Sequence, residues 1–223
     1  MLFSGIKNII FDFDGVILDS MSVRDKGFSI IFNKYPKQLV DQFLVYHRLN
    51  GGLSRFHKIR YFYYELLRKE ISDEEVMKYA QSFSEVMREE LVKPEYRIMD
   101  SIRFIEKYSQ LFNFHIASGS EEKELKFLCE SHGISQFFKS IHGSPTPKNE
   151  IVRNILIDYK YKTEQTVLIG DSINDLEAAK VNGIRFIGYN NQQLKGKGYL
   201  YVDKLGAIDF HIGNLEEGQP KDF

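Results

Sequence analysis

Residues 9–20 have the sequence IIFDFDGVILDS, in which an apolar run leads into two aspartates and is broken by Gly15. Such a run is typical of a buried strand. Asp12 and Asp14 follow it, and residues two apart on an extended chain point to the same side. Because adjacent carboxylates repel, a proton or a hard metal ion usually stabilises such a pair. The alternative is a turn, in which aspartate accepts local hydrogen bonds and glycine supplies a positive φ.

A second apolar run ends in the same way far along the chain. Residues 167–175 have the sequence VLIGDSIND, so Gly170 is followed by Asp171 and then by Asp175. If the two runs are parallel neighbours in one sheet, their ends meet at the edge where open α/β folds bind ligands. This second acidic strand end favours an active site over a simple turn.

Two further segments suit the same edge. Residues 114–120, FHIASGS, form an apolar run that ends in Ser118, and Gly119 lets a backbone amide approach a ligand closely. Lys148 follows the proline-containing loop 143–147 and precedes a helical pattern, so its ammonium group suits a phosphoryl group. Taken singly, Ser118 is equally explained as a helix N-cap and Lys148 as a surface lysine. The four segments in this order favour a phosphate site.

Across these four segments the chain resembles the haloacid dehalogenase superfamily, whose four motifs occur here in the expected order. The match is to the branch of phosphoglycolate phosphatases and β-phosphoglucomutases. The resemblance implies that Asp12 is the nucleophile, which takes up a phosphoryl group as an aspartyl phosphate, and that Asp14 is the acid and base. It also implies that Ser118 and Gly119 bind the phosphoryl oxygens and that Lys148 balances their charge.

The resemblance implies a magnesium site as well. Mg²⁺ would be bound by Asp12, Asp171 and the backbone carbonyl of Asp14. Asp175 would hold the metal's waters or orient Lys148. An all-oxygen site is the kind that a hard cation prefers. Dehalogenases of the family lack an aspartate at the position of Asp14, so its presence favours phosphoryl transfer over carbon–halogen cleavage.

These roles are chemically consistent with one another. Phosphoryl transfer depends on positioning and charge neutralisation, and a carboxylate nucleophile divides hydrolysis into two displacements. Asp14 would protonate the leaving alkoxide and then deprotonate water, which requires a pKa raised towards neutrality. One departure from the family is Asn149, which follows Lys148 where proline is common. It weakens the third motif without changing the charge that Lys148 brings.

Residues 20–92 differ from the rest of the chain, because apolar residues recur with a helical period and strand-like runs are missing. Ser72, followed by three acidic residues, predicts the start of a helix. In the aromatic run 61–64, we expect two side chains inside and two on the surface. The resemblance implies that residues 19–93 form a helical cap.

The remaining sequence alternates between strand-like and helical segments, which is typical of a parallel, doubly wound sheet. The resemblance implies an α/β fold with a Rossmann-like core, residues 1–18 and 94–223. The cap would move on hinges near residues 17–21 and 90–95. The predicted helices of the core cover residues 98–108, 121–132, 148–161 and 174–182. The predicted strands after the first cover residues 112–117, 137–142, 166–170 and 184–188. Residues 199–202 and 208–212 are expected to form one or two edge strands, or a strand and a turn.

Residues 47–55, HRLNGGLSR, interrupt the helical pattern of the cap. We expect Gly51 and Gly52 to break the helix and to expose the neighbouring cations around a turn. The run from Gly52 to Arg55 resembles the cap loop of the sugar phosphomutase branch, in which the arginine contacts a distal anionic or hydroxyl-rich part of the substrate. Arg55 is therefore a substrate-binding candidate, with an ordinary ion pair as the alternative. Weaker candidates are His47, Arg48 and His57.

The composition agrees with a soluble enzyme and gives no sign of a polyanionic partner. Hydrophobic residues make up 43% of the chain and the net charge is −1, so we expect no nucleic acid and no membrane as partner. The resemblance implies a small-molecule phosphate ester as partner. Cys129 is the only cysteine, so the chain forms no intramolecular disulfide, which favours a reducing cytoplasm. We expect Cys129 inside a helix. Residues 1–7 are too short and polar for a signal peptide. A monomer or a homodimer is expected.

Three functions are compatible with these observations. The first is a Mg²⁺-dependent phosphatase, a phosphoric monoester hydrolase acting on a sugar phosphate or a phosphoglycolate-like acid through an aspartyl phosphate. The second is a phosphomutase of the β-phosphoglucomutase type, which returns the phosphoryl group to another hydroxyl. The third is a catalytically silent metabolite-binding protein, which has no need of the six matched motif residues.

Overall fold

The computed structural model describes residues 5–208 and contains one parallel sheet. Its strands are β1 (Asn8–Phe11), β2 (Asn113–Glu121), β3 (Ser140–Ser144), β4 (Thr166–Gly170), β5 (Arg185–Tyr189) and β6 (Leu200–Val202). They lie in the order β3-β2-β1-β4-β5-β6, so the first strand is central and the chain winds outward in both directions. This is the strand order of the Rossmann fold, and the predicted fold class is confirmed.

Four helices of the core cover the two faces of this sheet: α5 (Met99–Tyr108), α6 (Glu122–Ser131), α7 (Lys148–Asp158) and α8 (Ile173–Val181). Along β1, Ile9 and Phe11 enter one buried layer and Ile10 enters the other. Burial on both faces explains the continuous apolar run that opens the sequence. The helix α7 ends three residues before its predicted end, because Lys160 takes a φ of 53° that a helix does not continue through.

The helical insert (residues 19–93) contains α1 (Met21–Ile31), α2 (Lys37–Leu49), α3 (Arg55–Tyr61) and α4 (Asp73–Glu90), with a π-helical turn from Phe62 to Leu67. Aromatic rings fill its interior; Phe32 and Phe62, for example, stack with centroids 4.0 Å apart. The predicted helix start at Ser72 is confirmed as a capping box with Glu75.

The aromatic run 61–64 is distributed largely as predicted. Phe62 and Tyr63 are buried and Tyr64 is exposed. Tyr61 is only half-buried, because its ring stacks on Tyr46 with a centroid separation of 3.4 Å. The run therefore builds the interior of the insert and one surface stack.

The two connections between insert and core run side by side. Asp19 N donates to the Tyr96 carbonyl oxygen at 2.8 Å, and Ile98 N donates to the Ile17 carbonyl oxygen at 3.0 Å. Both ends of the insert are thereby held next to each other, just beyond the carboxyl end of β1. Any movement of the insert relative to the core has to pass through these paired segments.

The end of the chain is described only as far as Ile208. The predicted edge strand within 199–202 is present as β6, whereas residues 209–212 of the second predicted strand lie outside the described residues. Cys129 is fully buried in α6, as predicted. Among residues 5–208, no helix combines the length and the apolarity that crossing a membrane requires.

Candidate active site

Asp12 and Asp171 come directly after β1 and β4, and Ser118 lies in the carboxyl-terminal part of the neighbouring strand β2. Phe11 of β1 is in register with Ile116 of β2 and with Ile169 of β4. The backbone of Asp12 continues this pairing, since its N–H donates to the Ile169 carbonyl oxygen at 2.9 Å. Three of the strand-end residues predicted from sequence therefore share one edge of the sheet.

Lys148, the first residue of α7, connects two of the acidic residues. Its Nζ lies 2.8 Å from Asp12 Oδ1 and also donates to Asp175 Oδ1. Burial alone would lower the pKa of Lys148, but the carboxylates of Asp12 and Asp175 outweigh it and raise that pKa. The side chain therefore remains a buried cation beside Asp12.

Asp175 is held from both sides. Its Oδ2 accepts hydrogen bonds from Ser172, at 2.9 Å from the backbone N and 2.6 Å from Oγ, while its Oδ1 accepts from Lys148. These contacts with Ser172 belong to the capping box that begins α8. Both carboxylate oxygens are thus engaged, which fits the role of orienting Lys148 better than direct metal binding.

The acidic residues nevertheless form a compact group that fits a divalent cation. One carboxylate oxygen from each of Asp12, Asp171 and Asp175 lies within 4.8 Å of the others. Burial and the nearby Asp175 carboxylate raise the pKa of Asp12 to about 7, and burial and the Asp12 carboxylate raise that of Asp171 well above its usual value. Hard oxygen donors with this excess negative charge are the ligands that Mg²⁺ prefers.

Gly15 makes room for Asp171 in this group. A β-carbon at position 15 would lie 1.9 Å from Asp171 Oδ2, far inside van der Waals contact. Gly15 also has a φ of 74°, the left-handed region that favours glycine. The glycine that breaks the first motif is therefore needed both for the turn and for the approach of the second acidic strand end.

Asp14 points away from the acidic group. Its Oδ1 accepts from Ser20 Oγ at 2.5 Å and from Arg24 Nε at 2.7 Å, and its Oδ2 accepts from Ser120 Oγ at 2.6 Å. Burial would raise the pKa of Asp14, but Arg24 and the two hydroxyls outweigh it and lower that pKa. The expectation of a raised pKa is therefore wrong for this arrangement, in which Asp14 is an ionised, fully paired carboxylate.

Arg24 and Glu124 were not predicted from the sequence. Arg24 also donates from Nη2 to Ser120 Oγ at 2.8 Å and from Nη1 to Glu124 Oε1 at 3.4 Å. The sequence does indicate that Ser120 faces the site, because it lies two residues after Ser118 in a strand and so points the same way. It also offers a reason to expect Glu124 inside, since this acidic residue is next to Leu125 on the buried face of α6.

Arg55 is buried, contrary to the expectation that the glycine turn exposes it. It is 3% exposed, and its Nη1 donates to Glu124 Oε2 at 2.6 Å and to Ser84 Oγ at 2.5 Å. The turn is covered because Gly52 sits against Gly119 of the core. Of the two alternatives for Arg55, the ion pair is present, while its Nε and Nη2 have no hydrogen-bond partner among residues 5–208.

The weaker candidates divide between interior and surface. His47 is buried, which again contradicts the predicted exposure, and its Nδ1 accepts from Lys58 Nζ at 2.9 Å. Burial and Lys58 lower the pKa of His47 to about 2, so the ring is neutral. Arg48 remains at the surface, 2.7 Å from Asp25. His57 is exposed, with its Nε2 3.1 Å from the Tyr46 hydroxyl.

Two cavities flank the catalytic edge. A small one of about 20 Å³ lies between insert and core on the side of Asp14. It is lined by Asp14, Gly119 and Ser120 from the core and by Arg24, Phe28, His47, Gly51, Leu53, Arg55, Lys58 and Phe83 from the insert. A larger cleft of about 320 Å³ lies on the side of Lys148. Gly119 borders both, so the predicted phosphoryl-binding amide lies between them.

A parallel α/β core that gathers an aspartate, a serine, a lysine and an acidic pair at its strand ends has the features of a phosphoryl-transfer hydrolase. The model of the haloacid dehalogenase-like hydrolases matches residues 9–189, and the chain belongs to this family. The family generally uses Mg²⁺, and the acidic group described above is of a kind that can bind it. No curated protein matches the sequence significantly.

Solved structures show the same fold at low sequence identity. β-Phosphoglucomutase from Clostridium difficile is 18% identical, with a TM-score of 0.73 over 92% of this chain and 94% of its own. CbbY from Rhodobacter sphaeroides, as a mutant in complex with xylulose 1,5-bisphosphate, is 18% identical, with a TM-score of 0.72 over 94% and 97%. The HAD-hydrolase YfnB from Bacillus subtilis, bound to magnesium, is 18% identical, with a TM-score of 0.68 over 90% and 96%.

Proposed function

We propose that the protein is a Mg²⁺-dependent phosphatase that hydrolyses a small phosphorylated metabolite, a sugar phosphate or a phosphoglycolate-like acid, through an aspartyl phosphate. The observation that carries this proposal is the contact between Lys148 Nζ and Asp12 Oδ1 at 2.8 Å. This contact lies beside the Asp171 carboxylate, at the edge of the sheet to which Ser118 belongs. A buried carboxylate with a fixed cation beside it suits in-line attack on phosphorus.

The proposal gives each site residue one role. Asp12 attacks phosphorus, Lys148 neutralises the phosphoryl oxygens, and the hydroxyl of Ser118 and the amide of Gly119 bind them. Asp12, Asp171 and the backbone carbonyl of Asp14 would hold Mg²⁺. When bound, the ion supplies positive charge that offsets the carboxylates and the transferring group. Asp175 keeps Lys148 in place.

In this proposal Asp14 exchanges protons with the leaving oxygen and then with water. In the arrangement seen here it is ionised, which is the state of a base that activates water. To protonate a leaving alkoxide it must first give up its contact with Arg24, 2.7 Å away. Because Arg24 belongs to α1 of the insert, we infer that movement of the insert accompanies the change in protonation.

The helical insert acts in this proposal as the cap, residues 19–93, over a core of residues 1–18 and 94–223. Its hinges lie near residues 17–21 and 90–95, at or beside the paired segments Ile17–Asp19 and Tyr96–Ile98. A cap in contact with Gly119 excludes water and large substrates, which favours a small phosphate ester over a phosphoprotein. We place this activity in the cytoplasm, in a monomer or a homodimer.

The proposal is tested by phosphate release from sugar phosphates, short phospho-acids and nucleotides in Mg²⁺. Asp12→Asn removes the nucleophile with little change of shape and should abolish turnover. Asp158→Asn, at an exposed position at the end of α7, should not change it. Turnover by the Asp12→Asn variant at the wild-type rate would contradict the assigned mechanism.

A phosphomutase remains the second candidate, supported by the structural similarity to β-phosphoglucomutase at a TM-score of 0.73. The same aspartyl phosphate would then pass to another hydroxyl of the substrate instead of to water. Product analysis distinguishes the two, because the mutase yields an isomeric sugar phosphate and the phosphatase yields free phosphate. Tight metabolite binding without either product would instead support a catalytically silent binding protein.

A further inference from the structure

The larger cleft connects the phosphoryl-binding groups with the surface of the protein. It has a volume of about 320 Å³, and Gly119 and Lys148, two of the groups assigned to the phosphoryl oxygens, border it. Glu177 and Val181, which are exposed, border it as well. The cleft therefore gives a phosphate ion at the catalytic edge a direct opening to solvent.

The side of Asp14 offers no such opening while the insert is seated on the core. The cavity on that side has a volume of about 20 Å³, which is room for about one water molecule. Arg24 of the insert lies 2.7 Å from Asp14, and Arg55 lies 2.6 Å from Glu124 of the core. A phosphate ion is larger than a water molecule, so it could leave on this side only if the insert lifted and broke these ion pairs.

Two polar atoms of residues that line the cleft are buried without a partner among residues 5–208. They are Ser144 Oγ and Asn174 Oδ1. Ser144 is 1% exposed and is the last residue of β3, so it lies at the same edge of the sheet as the catalytic residues. Because a buried polar atom without a partner costs free energy, such atoms commonly mark a place where a polar ligand or water binds.

The chemistry of these two atoms suits inorganic phosphate better than a phosphate ester. The hydroxyl of Ser144 can donate to a phosphate oxygen, whereas Asn174 Oδ1 accepts only from a ligand that brings its own donor. Inorganic phosphate keeps an O–H group at neutral pH. A phosphate monoester, with a second pKa of about 6, is mostly a dianion without one.

The charges along the cleft favour passage of an anion over its storage. Among the residues that line the cleft, Lys148 is the only lysine or arginine, and its Nζ is already paired with Asp12 and Asp175. Glu177 is the only acidic residue among them, and it is exposed, so water screens its repulsion. The cleft therefore has no free cation that would retain a phosphate ion.

We infer that inorganic phosphate leaves through this cleft while the insert stays seated on the core, with Ser144 and Asn174 as its hydrogen-bonding partners on the way. This inference rests on the proposed phosphatase function and gives the two products separate routes. The alcohol leaves on the side of Asp14, and phosphate leaves past Lys148. Since phosphate entering as an inhibitor takes the same route, an obstacle in the cleft slows association and dissociation equally and leaves the affinity unchanged.

The test measures how fast phosphate dissociates from the enzyme in Mg²⁺. The enzyme–phosphate complex is mixed in a stopped-flow instrument with an excess of a fluorescent phosphate-binding protein, and calorimetry gives the Kd. Val181→Trp, at a position that is 73% exposed beside the cleft, should slow dissociation at least about threefold and leave the Kd unchanged. Ile157→Trp, at a 64% exposed position of α7 that does not line the cleft, should change neither.

Ser144→Ala tests the hydrogen-bonding partner inside the cleft. It removes a hydroxyl that has no partner in the described part of the chain, so the melting temperature should stay that of the wild type. Dissociation of phosphate should slow about 3- to 10-fold, which is the effect of one lost hydrogen bond on a rate.

Dissociation at the wild-type rate in both Val181→Trp and Ser144→Ala would show that phosphate leaves by opening of the insert. That result, or a changed Kd in Val181→Trp, overturns the inference, while the phosphatase function stands as long as esters still yield phosphate. Failure of the proposed function is seen separately, as the absence of hydrolysis of every ester, including a generic aryl phosphate. The dissociation rates then still decide which route bound phosphate takes.

Discussion

Gly52 of the helical insert and Gly119 of β2 touch backbone to backbone: a β-carbon on Gly119 would lie 2.4 Å from the Gly52 carbonyl oxygen. A β-carbon on Gly52 would in turn lie 2.8 Å from Asn174 Cβ and 2.8 Å from Ser172 Oγ. Neither glycine has a positive φ, so close approach is the reason that both positions need glycine. This contact seats the insert on the catalytic edge.

Gly52→Ala should therefore hinder closure of the insert without unfolding the protein. Overpacking of a tight contact typically costs about 1–3 kcal/mol, which corresponds to a fall in kcat/KM of about 5- to 150-fold if closure is required for turnover. Steady-state kinetics measures the fall, and hydrogen exchange at residues 118–120 should increase because this part of β2 loses its cover.

The neighbouring glycine supplies a matched control. A β-carbon on Gly51 would meet only Met21 Cε, at 3.6 Å, which is ordinary van der Waals contact. Gly51→Ala should therefore keep both the kinetics and the exchange rates of the wild type. Equal effects of the two substitutions would show that the loop responds to helix propensity instead of to contact with the core.

The sequence predicts the residues at this edge of the sheet, because each of them can be recognised from the short segment in which it lies. Each strand carries its own end residue, so Asp12, Ser118 and Asp171 meet wherever a parallel sheet places neighbouring strands. Lys148 was found in the same way, since it begins the helix after a proline-stiffened loop. The strand order then places Asp12, Ser118 and Asp171 on or directly after neighbouring strands, whereas the contacts of Lys148 also depend on the packing of α7 and α8.

The surroundings of Asp14 could not be predicted in this way. Arg24 meets Glu124 across a separation of 100 residues, through the docking of the insert on the core. The sequence shows each as a charged residue in a helix and contains nothing that pairs them. For the same reason Arg55 was expected at the surface, because a loop with two glycines does not reveal that another backbone covers it.

The buried pair of Arg55 and Glu124 gives an asymmetric prediction. Glu124→Gln leaves both arginines without a carboxylate partner at that point, whereas Arg55→Met leaves Glu124 with Arg24 at 3.4 Å. Since breaking a buried pair typically costs about 3–5 kcal/mol, Glu124→Gln should approach that loss of unfolding free energy, and Arg55→Met should cost less. Urea denaturation measures both values.

An exposed ion pair provides the comparison. Lys37 and Asp41 lie 2.5 Å apart, but their side chains are 87% and 54% exposed. Asp41→Asn should leave the denaturation midpoint nearly unchanged, because water screens such pairs. If Glu124→Gln were as mild as Asp41→Asn, the carboxylate would not be compensating buried charge.

The buried ring of His115 should make the free energy of unfolding depend on pH. Its ring is buried, with Nδ1 2.7 Å from Ser140 Oγ and Nε2 3.1 Å from the Tyr161 hydroxyl. Burial, followed by His142 and Lys139, lowers its pKa from 6.5 to about 4. Between these values the unfolded chain binds the proton and the folded chain does not. Stability is therefore lost as the pH falls through this window, by about 3 kcal/mol in total.

His115→Gln should flatten this dependence. Urea midpoints of wild type and variant at pH 7.5, 6 and 5 should converge as the pH falls, because only the wild type carries this histidine's proton penalty. His47 titrates in both proteins and cancels in the comparison. His57→Gln, which removes an exposed histidine, should alter the slope less. Parallel pH profiles for wild type and His115→Gln would refute this account.

Asp171 lies within 4.8 Å of two other carboxylates, and in the absence of a cation their mutual repulsion destabilises the folded protein. Asp171→Asn should therefore raise the melting temperature in EDTA, by several degrees if about 1 kcal/mol of repulsion is relieved.

In the wild type, Mg²⁺ should raise the melting temperature as it binds, and in Asp171→Asn this rise should largely disappear. Asp158→Asn, at an exposed position, should behave as the wild type in both conditions. A magnesium response that survives in Asp171→Asn would place the ion elsewhere, since Asp171 supplies the carboxylate of this group with the fewest protein contacts.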